Sequence, residues 1–303
     1  MTATADKSTT LPVLRPGAAI LVRRADRIQI GCDPERSTIL DLTPPVTADT
    51  VVALLRYLDD QRTQPELTRY LRSIGLTAAD FAVLSEQLLA SGAVLPSSGG
   101  PRVSHLRVRI HGRGPIAEKL ADSLRDVGLP TTRSVQRPRL TGRPGNWSGT
   151  QLAILTDYHS HDPAIVNILM RQRIPHLGVR LRDGVGIVGP LVLPGLSSCL
   201  RCADHHRATL DPQWPMIAAQ LLGKPGYASA ATIRATVALA HEQVEQIVAG
   251  LSESGSGSGS GHPNAASPPD LIDHTLEFHA NPVRLRRKRW PAHPSCTCGA
   301  AAR

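Results

Sequence analysis

The chain lacks any apolar run of membrane-spanning length: its longest, IVGPLVLPGL, falls well short of the roughly 18 residues a span requires. Its opening, MTATADKSTT, sets no apolar segment behind basic residues, so no signal peptide is expected there. A soluble, cytoplasmic chain is the expectation. Cysteine is sparse as well. Five thiols is an odd number for a disulfide framework, and four of them fall in two close pairs, Cys199 with Cys202 and Cys296 with Cys298. Metal thiolates in a reducing compartment fit that pattern better than disulfides.

Positive charge is missing from the first third. Residues 1–100 hold ten Lys/Arg, one of them Lys, against eleven Asp/Glu, so the formal charge of +9 resides in the remaining 203 residues, which carry about +10. The excess is densest at Arg284, Arg286, Arg287, Lys288 and Arg289. That run is either a surface for an anionic partner or, more plainly, the solvated face of an exposed strand.

At 303 residues two domains are expected. Three short extended stretches, AAILVRR, RIQIGCD and STILDLT, are separated by Ala25-Asp26 and Asp33-Pro34. Alternation of Ile28, Ile30 and Ile39 with polar neighbours gives each strand one buried face. Past Pro44 and Pro45 the period becomes helical, with Val51, Leu54, Leu55 and Leu58, then Leu67, Tyr70, Leu71 and Ile74, then Phe81, Leu84 and Leu88. Thr63 with Pro65 and Glu66, and Thr77 with Asp80, are helix-start signatures. Gly92 closes the third helix, and PSSGGP ends the domain near residue 98.

A three-stranded sheet with three helices makes a winged helix-turn-helix. Such folds commonly bind DNA, but DNA affinity comes largely from cations on phosphates, and a region with a net charge near −1 lacks them. In its other use the fold adds an extended peptide to the open edge of its sheet. In element order and size, residues 1–98 resemble the peptide clamp (the RiPP recognition element) that holds leader peptides of ribosomally made, modified peptides. The resemblance implies a groove between the edge strand Thr38, Ile39, Leu40, Asp41 and Leu42 and the last helix with Phe81, Leu84 and Leu88. Backbone groups at Thr38, Leu40 and Leu42, or at their neighbours one register away, would pair with the peptide. Phe81, Leu84 and Leu88 also fit as plain core, and for Phe81 and Leu84 core is the better fit.

From residue 102 the character is that of a parallel α/β sheet. LRVRIHG runs into Gly112-Arg113-Gly114-Pro115-Ile116-Ala117, a GxGxxA turn between a strand and a helix with Ile116, Leu120, Leu124 and Val127 on one face. The next strand, TTRSVQ, ends in Gln136 and Arg137 where a ribose-binding acid is expected. LAILTD, a helix over Pro163 to Arg173 and IPHLGVRL continue the alternation. Asp157 falls at a strand's carboxyl end, where ligands of such sheets bind and where helix caps are also common.

The passage GIVGPLVLPGLSSCLRC, with Gly189, Pro190, Pro194, Gly195, Cys199 and Cys202, resembles the adenylation domains of the ubiquitin-activating, ThiF and MoeB (E1-like) group. HPSCTCG resembles the cysteine pair that closes that group's zinc site. With the peptide clamp in front, the resemblance extends over nearly the whole chain to the E1-like leader-binding component of thiazole/oxazole-modified microcin (TOMM) cyclodehydratases. It implies a structural zinc on Cys199, Cys202, Cys296 and Cys298, and a flexible crossover at 252–269 that includes GSGSGSG. The family spaces its second pair by two residues, whereas Thr297 alone separates Cys296 from Cys298, so His293 or His205 stands as an alternative fourth ligand.

The enzyme pattern itself is incomplete. The acid after the second strand, the Asn, the Arg-Gln pair and the Lys of adenylating members cannot be placed between Ser134 and Asp157. Residues 203–295 contain no cysteine nucleophile, and Cys32 lies in the first domain. Gly112, Gly114, Ala117 and Asp157 are then a vestigial nucleotide loop, with no ATP and no independent catalysis expected. The expected fold is α+β followed by α/β: a winged-helix clamp over 1–98 and a degenerate E1-like, Rossmann-type domain over 102–303. What the resemblance implies is a scaffold that captures a precursor's leader peptide and presents it to a separate YcaO-type enzyme; a homodimer is compatible with this. The alternatives are an active ATP-dependent adenylating enzyme of the ThiF group and a zinc-containing winged-helix DNA-binding protein.

Overall fold

Alternating and helical apolar patterns set the elements of the first of two units, Met1–Arg102. In the computed structural model, which describes residues 11–14, 17–58, 64–92, 94–97, 106–135, 147–254 and 271–302, this unit runs β1 (Leu11–Leu14), β2 (Ile20–Arg24), β3 (Arg27–Ile30), β4 (Thr38–Asp41), α1 (Ala48–Leu58), α2 (Gln64–Ser73), α3 (Ala78–Ala90) and β5 (Val94–Ser97). The three expected strands form an antiparallel sheet in the order β2-β3-β4. Strands β1 and β5, from opposite ends of the unit, add a separate antiparallel pair.

Ile28 and Ile30 of β3 meet Val51, Leu54, Leu55 and Leu58 of α1, Leu67 and Leu71 of α2, and Phe81, Leu84 and Leu88 of α3 in one core. Tyr57 stacks on Tyr70 at 3.8 Å between ring centres and joins α1 to α2. At the start of α3 the Thr77 hydroxyl accepts from the Asp80 N–H, and the Asp80 carboxylate accepts from the Thr77 N–H, closing a reciprocal cap. The start signature at Thr63 and the end of the PSSGGP loop lie outside the described residues.

The second unit, Val103–Arg303, holds β6 (Val108–His111), α4 (Pro115–Asp126), β7 (Thr131–Ser134), β8 (Leu152–Thr156), α5 (Pro163–Arg171), β9 (His176–Arg182), β10 (Val185–Val192), α6 (Leu200–Leu210), α7 (Trp214–Gln220), α8 (Ala230–Ser254), β11 (His274–Ala280) and β12 (Val283–Arg289). One seven-stranded sheet orders them β12-β11-β10-β9-β8-β6-β7. β7, β6, β8 and β9 are parallel neighbours, and β9 to β12 continue antiparallel. The fold is therefore a mixed α/β sheet. Asp183-Gly184, both at positive φ, makes the tight β9–β10 turn that matches strand twist.

Burial on both faces explains the continuous apolar reading of the parallel strands. Leu152 and Ile154 of β8 pack with Leu120 and Leu124 of α4 and Val244 of α8, whereas Ala153 and Leu155 pack with Ile165, Ile168 and Leu169 of α5. Strand β12 is an exposed edge, and its Arg and Lys side chains form the solvated face that the sequence allowed. Of the crossover expected at 252–269, the first three residues belong to α8, which runs to Ser254, and the rest lies outside the described residues. Among the described residues no helix is long and apolar enough to cross a membrane.

Leu120 is fully buried between α4, α8 and the sheet. Leu120→Ala should lower unfolding free energy by about 2–5 kcal/mol in chemical denaturation, through lost transfer energy and the cavity left behind.

Candidate functional site

Three places in the two units carry the chemistry that the sequence suggests: a sulfur cluster, the strand-end crevice, and the β4 edge.

The cysteine pairs come from two segments held rigidly before they meet. Cys199 is the N-cap residue of α6 and Cys202 follows one turn later, so both thiols project from the same helix end. The turn ahead of them is fixed by the Leu193 N–H donating to Ser197 Oγ at 2.8 Å and the Ser198 N–H donating to Asp273 Oδ1 at 2.7 Å. The other segment follows β12. The Trp290 N–H donates to the Asp273 carbonyl at 2.7 Å, its indole N–H to Thr275 Oγ1 at 3.2 Å, and His206 Nε2 meets the Pro291 carbonyl at 2.9 Å.

The result brings Cys199 Sγ to 3.8 Å from Cys202 Sγ and 3.6 Å from Cys296 Sγ, with Cys202 Sγ 3.6 Å from Cys298 Sγ. All four sulfurs lie within 4.8 Å of one another. A tetrahedron of zinc–sulfur bonds of about 2.3 Å has edges of about 3.8 Å, so these spacings suit a closed four-thiolate ion. Burial pushes the Cys199 thiol well up and Cys296 up to about 11. Burial acts on Cys202 in the same sense, but hydrogen bonds from the Cys199 and His293 backbone and the neighbouring thiols outweigh it and hold its pKa down. A central dication would stabilise all four thiolates together.

Cys298 reaches the cluster despite its short spacing from Cys296. The alternatives, His205 and His293, stack on each other at 4.9 Å between ring centres and are not in the sulfur group. Cys32 is exposed in the other unit.

At the strand-end crevice the glycine turn is shaped by contact with its neighbour. A Cβ at Gly112 would lie 2.1 Å from Thr156 Oγ1, and one at Gly114 would lie 2.5 Å from Asp157 Oδ1. Asp157, at φ +69°, turns its carboxylate onto the first turn of α4, accepting from the Ile116 N–H at 3.0 Å and the Ala117 N–H at 3.2 Å. These are the amides that a nucleotide phosphate takes in a dinucleotide fold. Asp157 is thus a cap for α4, while α5 has its own cap in Asp162, which accepts from the Ala164 N–H at 2.8 Å. Burial raises the Asp157 pKa, opposed by the hydrogen bonds from Thr156 and the two amides.

β7 and β8 lie on opposite sides of β6, which makes this the switch point of the sheet. His111, Tyr158, Asp162 and Leu222 enclose about 30 Å³ there, room for about one water. The segment after α7 crosses these strand ends, with Tyr158 bridged to Pro225 and Ser160 to Leu222.

In the first unit, β4 lies at the edge of its sheet. The Leu42 N–H donates to the Asp26 carbonyl at 2.8 Å, and the register pairs Leu40 with Ile28 and Thr38 with Ile30. By the alternation of antiparallel pairing, Thr38, Leu40 and Leu42 turn their backbone groups inward, and Ile39 and Asp41 present theirs at the open edge. This is the register one residue away from Thr38, Leu40 and Leu42. Asp41 also pairs with Arg27. Phe81, Leu84 and Leu88 are all buried in the core and packed with β3, α1 and α2, so they are no open groove wall.

Sequence reasoning passed over Arg180, a buried cation in the middle of β9. The signal was there in LGVRL, a charge inside an otherwise apolar strand.

No protein-family model matches the chain, and no curated protein matches it in sequence. Solved structures do. A heterocyclase in complex with substrate and cofactor superposes with a TM-score of 0.64 at 16% identity, over 97% of this chain and 40% of its own. The heterocyclase TruD gives 0.63 at 15%, over 96% of this chain and 43% of its own. The microcin C7 biosynthetic enzyme MccB, in complex with N-formylated MccA, gives 0.56 at 11%, over 95% of this chain and 99% of its own; the E. coli enzyme is also known with ATP. The chain therefore has the fold these proteins share, and it spans about two fifths of the heterocyclases' length.

Cys199→Ser should release a bound ion and lower stability by several kcal/mol, because a structural metal's binding energy is folding energy. Elemental analysis of reduced protein should return one zinc per chain for the parent and far less for the variant. Acidification should release the ion too, as protons compete for the thiolates.

Proposed function

We propose that the chain is a leader-peptide-binding scaffold in the biosynthesis of ribosomally made, thiazole/oxazole-type peptides. Residues 1–98 act as a winged-helix peptide clamp, and residues 102–303 as an E1-like domain that has given up nucleotide chemistry and is tied together by structural zinc. The clamp captures the precursor's leader, and a separate YcaO-type enzyme in the cytoplasm modifies the rest. The observation that carries the reading is a fold spanning over nine tenths of the chain in common with two heterocyclases and with the microcin C7 biosynthetic enzyme MccB in complex with N-formylated MccA. The open β4 edge supports it from the first unit, since an exposed strand offers backbone pairing that an extended peptide can extend.

An adenylating enzyme is the competing reading, because MccB has the same fold and is known with ATP. Against it stands the Asp157 carboxylate on the α4 amides: a phosphate entering there would meet a negative charge already bonded to the donors it needs. A DNA-binding role is disfavoured by the first unit's acidic balance.

Two outcomes test this function. Calorimetry of the full chain with ATP and magnesium should show no binding; a low-micromolar dissociation constant would restore the adenylating reading. Hydrogen exchange with a leader segment from a precursor encoded near the gene should protect residues 37–42. Ile39→Pro, which removes an outward N–H, should weaken that binding at least tenfold with zinc content unchanged. Protection confined to Arg284–Arg289 would show that the clamp assignment is wrong.

A further inference from the structure

Between the sheet and helices α5, α6 and α7, on the side away from α4 and α8, lies a cavity of about 340 Å³. Its floor is Arg180, 8% exposed in the middle of β9. Among the described residues this guanidinium has neither an ion pair nor a side-chain hydrogen bond. The acids in its field are committed elsewhere. Asp204 accepts from Arg207 at 2.8 Å and from the Trp214 indole N–H at 3.0 Å, and Glu277 accepts from Arg182 at 3.3 Å. A buried cation without a counter-charge is costly to hold. Burial accordingly brings Arg180 down to about 9, and the neighbouring Arg207 and Arg182 act in the same direction.

A second group points to the same missing partner. His161 lines the cavity, and neither of its ring nitrogens, both buried, has a hydrogen-bond partner. Burial, with Arg180 nearby, holds it neutral, down to about 3, so it carries one N–H to give and one lone pair to receive. The remaining walls are mixed: Leu200, Pro190, Val166 and the rings of Trp214 and Trp290 give an apolar side, and His159, Ser160, Arg201, Asp204, Arg207 and Thr275 add polar groups. The Arg207 guanidinium lies over both indoles, 5.1 Å and 4.8 Å from their centres, and is neutralised by Asp204. The cavity therefore has an unpaired guanidinium at its floor, an imidazole without hydrogen-bond partners, and an aromatic side.

We propose that this cavity binds a small organic anion, a carboxylate on an apolar body, with the carboxylate on Arg180 and His161 and the body between Trp214, Trp290 and Leu200. A bare inorganic anion would leave most of about 340 Å³ unfilled, and an uncharged hydrophobe would leave Arg180 unpaired. The site is separate from the cysteine cluster and from the capped α4 terminus, and it does not depend on the scaffold reading.

The full-length, zinc-loaded chain should be titrated calorimetrically with benzoate, cinnamate and indole-3-acetate, each beside its neutral amide, and with inorganic phosphate. At least one acid should bind about tenfold or more tightly than its amide and than phosphate, as expected for a charge-assisted pair in a desolvated site. Arg180→Met should remove the preference for acid over amide. Ala218→Trp, which fills the cavity from α7 and leaves Arg180 in place, should abolish binding of both. Unchanged zinc content certifies the fold of each variant. The proposal is overturned if none of the acids binds at millimolar concentration, if amide or phosphate binds as well as the acid, or if the preference survives Arg180→Met or Ala218→Trp.

Discussion

Four sulfur atoms gathered at one helix end are the constraint on which the second unit turns. Cys199 and Cys296 stand 97 residues apart in sequence, and joining them closes a loop that holds α6, α7, α8 and the β11–β12 hairpin. The entropy removed from an unfolded chain by a cross-link grows with the loop it closes, so one ion bound here would restrain almost half the unit. Beside the cluster the Trp290 indole donates to Thr275, and both side chains wall the Arg180 cavity. Cysteine cluster, hairpin and cavity are parts of one assembly.

Helix α4 shows a helix start capped from elsewhere in the same chain. In a strand–glycine–helix turn the amide groups at the helix start carry partial positive charge and demand an anion. Here the chain supplies its own from the end of β8, and Gly114 keeps the space into which Asp157 leans. Packing alone requires both glycines here, since a side chain at Gly112 would strike Thr156 of β8 and one at Gly114 would strike Asp157 just beyond it.

What was legible in the sequence followed from local physics. Period-two alternation located β2, β3 and β4, the helical stripes located α1 to α3, and Thr77 with Asp80 fixed the start of α3. The cysteine pairs announced their cluster because metal ligands need only spacing. What stayed hidden depends on partners distant in sequence. The β1–β5 pairing joins two four-residue segments about 80 residues apart, each with a proline, Pro12 and Pro96, and neither alternates convincingly alone. The identity of the helix that Asp157 caps, the inward register of Leu40, and the burial of Phe81, Leu84 and Leu88 all required the assembled core. Arg180 was visible as a charge in an apolar strand, but only three-dimensional structure reveals that every nearby carboxylate is already taken.

The bare outer edge of β12 has a consequence for crowding. A free strand edge is a template on which another copy's strand could continue the sheet, the first step toward stacked, insoluble assemblies. Arg284, Arg286, Arg287, Lys288 and Arg289 put a row of like charges along that edge. A second β12 approaching in either direction would face the same row, and mutual repulsion holds the two apart while water still reaches the backbone. Because such repulsion is screened within about 8 Å at physiological ionic strength, this guard acts at close range and fades as salt rises.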